Sequence, residues 1–145
     1  MTFVLLPASG PGFRTYNREV GGRDQYGTAT TIAALQACGH EWRARHPAHP
    51  FAVGDISRRK GGAFPPHKSH QRGTDVDLRP LRADGRNLPC TYSSTDYDRA
   101  RTRELIKLLR GHGATHFFFN DPVLVNEGLC GLLRGHDNHL HVRFA

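Results

Sequence analysis

Hydrophobic and polar positions along the chain switch between a helical and an extended period. Residues 28–46, TATTIAALQACGHEWRARH, set Ile32, Leu35, Cys38 and Trp42 near one face, and Pro47 stops the run, which predicts a helix. PFAVGDIS, 50–57, reads as a short strand. SRRKGGAFPPHK, 57–68, is a loop full of breakers, and loops of that length often carry function. TDVDLRP, 74–80, alternates like a strand: Val76 and Leu78 face one way, Asp75, Asp77 and Arg79 the other. Residues 81–95 form a polar connection. Asp96 is placed to cap a second helix running to about Arg110, closed by Gly111 and Gly113, with Leu105, Leu108 and Leu109 as its buried stripe. THFFFN, 115–120, is expected as a central strand, because Phe117–Phe119 would bury on both sides. Residues 121–135 read as a Gly-rich loop. In a last strand, 138–145, Leu140, Val142 and Phe144 share one face, and His139, His141 and Arg143 share the other.

Helix, two strands, helix, two strands is the order of an α+β fold, an antiparallel sheet core with two main helices on one face. The 145 residues suit one domain, with 1–27 a loop-rich segment rich in Gly and Pro. Phe13, Tyr16 and Tyr26 are spaced to pin that segment onto the body. No apolar run reaches the ~20 residues of a membrane span. The N-terminus, with VLL as its only apolar run, does not read as a secretory signal.

The formal charge of +7 favours a polyanionic partner: nucleic acid, an anionic membrane or an anionic cell wall. The basic residues are scattered and their longest pure run is RRK, which argues against a dedicated nucleic-acid patch. Of the three cysteines, Cys38, Cys90 and Cys130, no two form a CxxC pair, so a cysteine-based zinc site is not expected. A Cys90–Cys130 bridge and three reduced thiols both remain open.

Histidines change the picture. HKSHQRGTDVD, 67–77, holds His67, His70, Asp75 and Asp77, and HDNHLH, 136–141, adds His136, His139 and His141. If the two strands are neighbours, their polar faces present Asp and His to one spot, and His70 reaches it from the preceding loop. That supplies two imidazoles and one carboxylate, the ligand set of a catalytic zinc with an open position for water. His139 is left beside the metal as a general base. His40, His46, His49 and His112 read as surface groups. HEWRARH, 40–46, imitates a zinc-protease helix, but its second histidine lies about 120° around the helix from the first. A nuclease of the His-Asn-His type would spread those residues over two strands and a helix, whereas His136, Asn138 and His139 are packed together.

The combination GDIS…GG…PPHKSHQRGTDVDLRP…HDNHLHVRF resembles the penicillin-insensitive murein endopeptidases. These belong with lysostaphin-type enzymes, D-Ala-D-Ala peptidases and the hedgehog signalling domain. The resemblance is clearest over 50–80 and 136–144 and looser elsewhere. It implies a hedgehog/D-Ala-D-Ala-peptidase-like fold and a Zn2+ held by His70, Asp77 and His141. It implies His139 as the catalytic base, with His136 assisting, and His67 at the cleft mouth. Ser69 and Asp75 would support the site, Asp75 as the acceptor that orients a ligand imidazole. Thr74 stands where the family would have Leu. The arginine that dipeptidases keep beside the substrate carbonyl has no clear counterpart, which favours an endopeptidase.

The function expected from the resemblance is zinc-dependent hydrolysis of peptidoglycan cross-links next to D-amino acids, the D-Ala–diaminopimelate bond foremost. The alternatives are a DD-carboxypeptidase or dipeptidase with the same zinc site, and an inactive zinc-bearing binding module. Peptidoglycan is the expected partner, with an immunity protein if the chain is an antibacterial effector. Nucleic acid and a membrane span are not expected. Action in the periplasm or cell wall, without a signal in this chain, implies delivery by lysis as a phage lysin, by a secretion system, or as part of a longer exported protein.

Overall fold

Thr28 ends an extended stretch and starts a helix, its hydroxyl accepting from the Thr31 N–H at 3.1 Å. The helix, α1, spans Ala29–Arg45 and buries Ile32, Leu35, Cys38 and Trp42. In the computed structural model, which describes residues 2–63, 65 and 70–145, α1 follows four short strands: β1 (Val4–Leu5), β2 (Ser9–Gly10), β3 (Phe13–Thr15) and β4 (Tyr26–Gly27). Then come β5 (Phe51–Val53), β6 (Asp75–Leu78), α2 (Arg99–Gly111), β7 (Ala114–Phe118), α3 (Pro122–Asn126) and β8 (Leu140–Phe144). His67 and Ser69 lie outside the described residues.

The main sheet has the order β2-β3-β5-β6-β8-β7. The fold is α+β, as expected. β3 runs parallel to β5, and the other pairings of this sheet are antiparallel. Residues 2–27, expected as loop, supply β2 and β3 to the sheet and a small β1–β4 ribbon. Val76 and Leu78 of β6 join Leu140, Val142 and Phe144 of β8 in one core with Ile32, Leu35 and Trp42 of α1 and Leu105 and Leu109 of α2. The period-two alternation therefore leaves Asp75, Asp77, His141 and Arg143 on the opposite face.

Several expectations need correction. The cap of α2 is Asp98, which accepts from the Arg101 N–H at 2.9 Å, not Asp96. Asp96 lies 3.3 Å from Arg82 in a salt bridge. The Phe-rich strand β7 is an edge strand, not a central one. Phe117 and Phe119 are buried, but Phe118 turns to the rings of His136 and His141. Coverage of a strand's two faces says nothing about whether both its edges are paired. Residues 121–135 contain α3, which starts on the Asp121 cap with Pro122 in its first turn. The three cysteines are free thiols, with no Cys90–Cys130 bridge. No helix among the described residues is long and apolar enough to cross a membrane.

The cap assignment gives a stability test. Asp98→Ala is expected to cost about 1 kcal/mol, read as a lowered urea midpoint. Asp96→Ala, which loses only a surface ion pair, is expected to cost a few tenths at ~0.3 kcal/mol. The reverse ranking would place the cap at Asp96.

Candidate metal centre

Two strands and one turn build the site. β6 and β8 pair so that Asp77 stands opposite His141 and Asp75 opposite Arg143. His70 comes from the turn before β6. Gly73 lets that turn close: its φ is +71°, and an added Cβ would meet the Thr28 nitrogen at 2.9 Å. The glycine of the H-x-x-G-x-D motif thus seats the turn on the start of α1, where the Thr28 N–H donates to the Gly73 carbonyl.

One ligand atom each from His70, Asp77 and His141 lies within 4.8 Å of the others, and all three residues are buried. Among the described residues they form the group of this kind. His70 Nε2 is 3.2 Å from Asp77 Oδ1, and His141 Nδ1 is 3.6 Å from the same oxygen. The far nitrogens are engaged as well. His70 Nδ1 lies 2.7 Å from the Ile56 carbonyl, and His141 Nε2 lies 2.8 Å from Asp75 Oδ1. Arg143 Nε donates to that Asp75 oxygen at 2.9 Å.

This arrangement tests the fit of a metal. A carbonyl and an ionised carboxylate only accept, so the far nitrogens of both histidines must carry protons. Their near nitrogens then offer lone pairs toward Asp77, another acceptor. The His70 contact, at hydrogen-bond distance, needs a second ring proton or a cation between it and Asp77, and a cation there would also take the His141 lone pair. Burial of adjacent imidazolium rings, whose centroids are 5.0 Å apart, is the costlier solution. The donor set of two imidazoles and a carboxylate, with each imidazole held from behind, fits a divalent metal.

The titration behaviour agrees. Burial alone would push His70 down, but its bond to Asp77 and the carboxylate charges carry it above its ordinary value. Burial would raise Asp77, yet the bond to His70 and the nearby histidines hold it below the usual carboxylate range. Asp75 is likewise depressed, against burial, by His141 and Arg143.

His139 and His136 sit at the rim, and His139 precedes β8 rather than lying within it. Their rings are 4.5 Å apart, and His139 Nε2 is 4.0 Å from Asp77 Oδ1. His139 Nδ1 lies 2.8 Å from Asn138 Oδ1, an acceptor, so Nδ1 bears the proton and Nε2 faces the centre with its lone pair. Burial, then the surrounding histidines, push His139 below its ordinary value, with Asp77 opposing. It is neutral at pH 7 and able to accept a proton.

A groove lies on each side of the centre. One, of about 240 Å3, is lined by Tyr16, Arg79, Asn138 and His139 among others. The second, of about 660 Å3, is lined by Arg72, Asp75 and Arg143 among others. Tyr16, Arg79 and Asn138 were not singled out for this role from the sequence. Alternation along 74–80 sets Arg79 on the face of Asp77, without giving it a role there. Nothing local places Tyr16, which reaches the site only through the pairing of β3 with β5.

The family model described as penicillin-insensitive murein endopeptidase matches residues 2–111. The matched stretch includes His70 and Asp77, and it covers residues 2–49, where the motif resemblance was loose. His136, His139 and His141 lie beyond it, joined to the matched part by the β6–β8 pairing. No curated protein matches the chain.

The centre predicts an inverted pH response on metal binding. The raised His70 contributes stability present below ~6.5 and lost as pH climbs through its folded value. The depressed Asp75 and Asp77 contribute stability present above ~3.9 and lost as pH falls through their folded values. Chelated protein should melt highest between those limits. Zinc needs deprotonated imidazoles, so it should raise the melting temperature mostly above pH 7. At a hundredfold excess over Kd the gain is about 2.7 kcal/mol, or ~5–10 °C for a chain of this size. His141→Ala and Asp77→Ala are expected to abolish the zinc response. Melts that ignore zinc at every pH would rule the centre out as a metal site.

Proposed function

The chain belongs to the penicillin-insensitive murein endopeptidase family, and from that premise we propose that it is a zinc peptidase that cuts D-Ala–diaminopimelate cross-links of peptidoglycan. The observation that carries this reading is the centre itself: His70 Nε2, Asp77 Oδ1 and His141 Nδ1 face one point, with both far nitrogens committed to acceptors. These three residues would hold the metal. When bound, zinc supplies Lewis acidity, acidifying a water and polarising the scissile carbonyl.

The remaining chemistry falls to the protein. His139, neutral and oriented by Asn138, takes the proton of the attacking water on Nε2 and hands it to the leaving amine. His136, whose ring centroid is 4.5 Å from that of His139, donates a ring N–H to the developing oxyanion. Asp75 does not touch the reacting atoms. It holds His141 in the tautomer that turns Nδ1 inward, and Arg143 fixes Asp75 in turn.

The two grooves favour an endopeptidase over a carboxypeptidase. Release of a terminal residue needs chain binding on one side of the scissile bond and closure on the other. A cross-link needs room for a peptide on both sides. Intact His136 and His139 speak against an inactive binding module.

The test is a digest of purified diaminopimelate-type peptidoglycan, with and without chelator, read by mass spectrometry of the fragments. Cross-linked dimers should fall and monomers rise, chelator should stop this, and zinc should restore it. Release of free D-Ala instead would move the assignment to a carboxypeptidase. His139→Ala is expected to keep its zinc while losing about 10²–10⁴ in rate. A His139 variant near the wild-type rate would remove it as the base.

A further inference from the structure

The polar face of the sheet carries a second cluster, of arginines. Arg14 of β3 stands opposite Ala52 of β5. The Arg79 N–H donates to the Ala52 carbonyl at 3.1 Å, continuing the register that sets Val53 against Leu78. Residues facing each other across paired strands share a face, so Arg14 and Arg79 flank Ala52. The next row repeats the pattern, with Tyr16 and Asp77 on either side of Gly54. A Cβ at Gly54 would strike the Tyr16 ring at 2.5 Å. The Tyr16 ring thus packs over Gly54, and the groove lined by Tyr16, Asp77, Arg79 and His139 links Arg79 to the metal centre. Tyr16 holds one of its walls, with the Arg79 guanidinium 4.2 Å from its ring centroid.

Among the described residues no carboxylate lies in ion-pair range of Arg14 or Arg79, although Asp84 is near Arg14 and Asp55 and Asp77 line the groove beside Arg79. Arg82, nearby, is satisfied by Asp84 and Asp96. Arg14 Nη2 donates at 2.6 Å to the Gly85 carbonyl, and Arg79 Nη1 at 2.8 Å to Asn87 Oδ1, both neutral acceptors. Arg14 Nε is buried without a hydrogen-bond partner. Arg86 is exposed on the same groove. Burial and the charge of Arg79 both push the Arg14 guanidinium below its ordinary value, and Asp84 offsets this only in part. Guanidinium forks suit a planar, two-oxygen acceptor.

We propose that Arg14, Arg79 and Arg86 form an anion subsite that takes a free carboxylate of the substrate peptide. Arg79 lies two positions along the strand from Asp77, roughly 7 Å at the rise of extended chain. The carboxylate is therefore about two residues from the scissile bond. The subsite rests on the endopeptidase reading and sharpens it: the enzyme discriminates between wall peptides by whether that carboxylate is free or amidated.

Calorimetric binding of an uncross-linked stem peptide, which offers no cross-link to cut, tests this without relying on hydrolysis. The acid form and its amidated twin are titrated into wild type, Arg14→Gln and Arg86→Gln. Wild type is expected to bind the acid form about tenfold tighter, and each variant to lose most of that preference. Arg86 is exposed, so its variant guards against a misfolded Arg14→Gln. Equal binding of both peptides by wild type, or a preference intact in both variants, would overturn the subsite. So would displacement of the acid peptide by inorganic phosphate at far lower concentration than by acetate, which would point to a phosphate ligand. A chain that prefers the acid peptide yet leaves cross-linked dimers uncut supports the subsite and refutes the endopeptidase.

Discussion

The pairing of β6 with β8 is the constraint on which the rest depends. Its register sets Asp77 against His141 and Asp75 against Arg143. Side chains alternate along a strand, so a slip by one residue would send the aspartates into the core and Val76 and Leu78 into the cleft. The hydrophobic face forbids that slip. Val76, Leu78, Leu140 and Val142 are fully buried, and moving them out would forfeit roughly 1.5–3 kcal/mol each. The apolar side of the sheet thus holds the polar side in place.

Within that frame the centre is built from the back. Ile56, Asp75 and Arg143 meet no reacting atom, yet they decide which nitrogen of each histidine points inward. Two buried carboxylates on adjacent turns of the pleat are costly unless cations satisfy them. Arg143 covers part of Asp75, His141 the rest, and Asp77 is left facing imidazoles. The charge at Asp77 is the one that a divalent cation at His70, Asp77 and His141 would balance.

Much of this was legible in the sequence, because it lies in local periodicity. The alternation at 74–80 and 138–145 placed Asp75, Asp77, His141 and Arg143 on one face, and the helical spacing at 28–46 placed Trp42 in the core. What escaped was set by neighbours distant in the chain. Three phenylalanines in a row signal buried faces, but that the outer edge of β7 meets only an isolated bridge to Gly131, and no further strand, leaves no local trace. Asp96 and Asp98 are equally good caps by type. Arg82 draws Asp96 into an ion pair, and the helix begins two residues later than expected. The contribution of β3 was hidden because its parallel pairing with β5 leaves a three-residue signature, too short for periodicity to register.

The same hidden pairing gives the positive charge a meaning. Along the chain the arginines look like a solvated, dispersed excess. In the fold, the Arg14–Ala52–Arg79 row draws two of them together across three strands, while other surface arginines pair with acids, as Arg103 does with Glu127 and Arg99 with Asp121. An excess serving only diffuse attraction to an anionic wall would gain nothing from crowding two guanidinium groups, which repel and lose hydration when buried. Crowding is tolerable where an anion visits. Diffuse charge can bring a protein to a polyanion, but a cluster at a fixed step from the His70–Asp77–His141 group is placed to distinguish one anion from another.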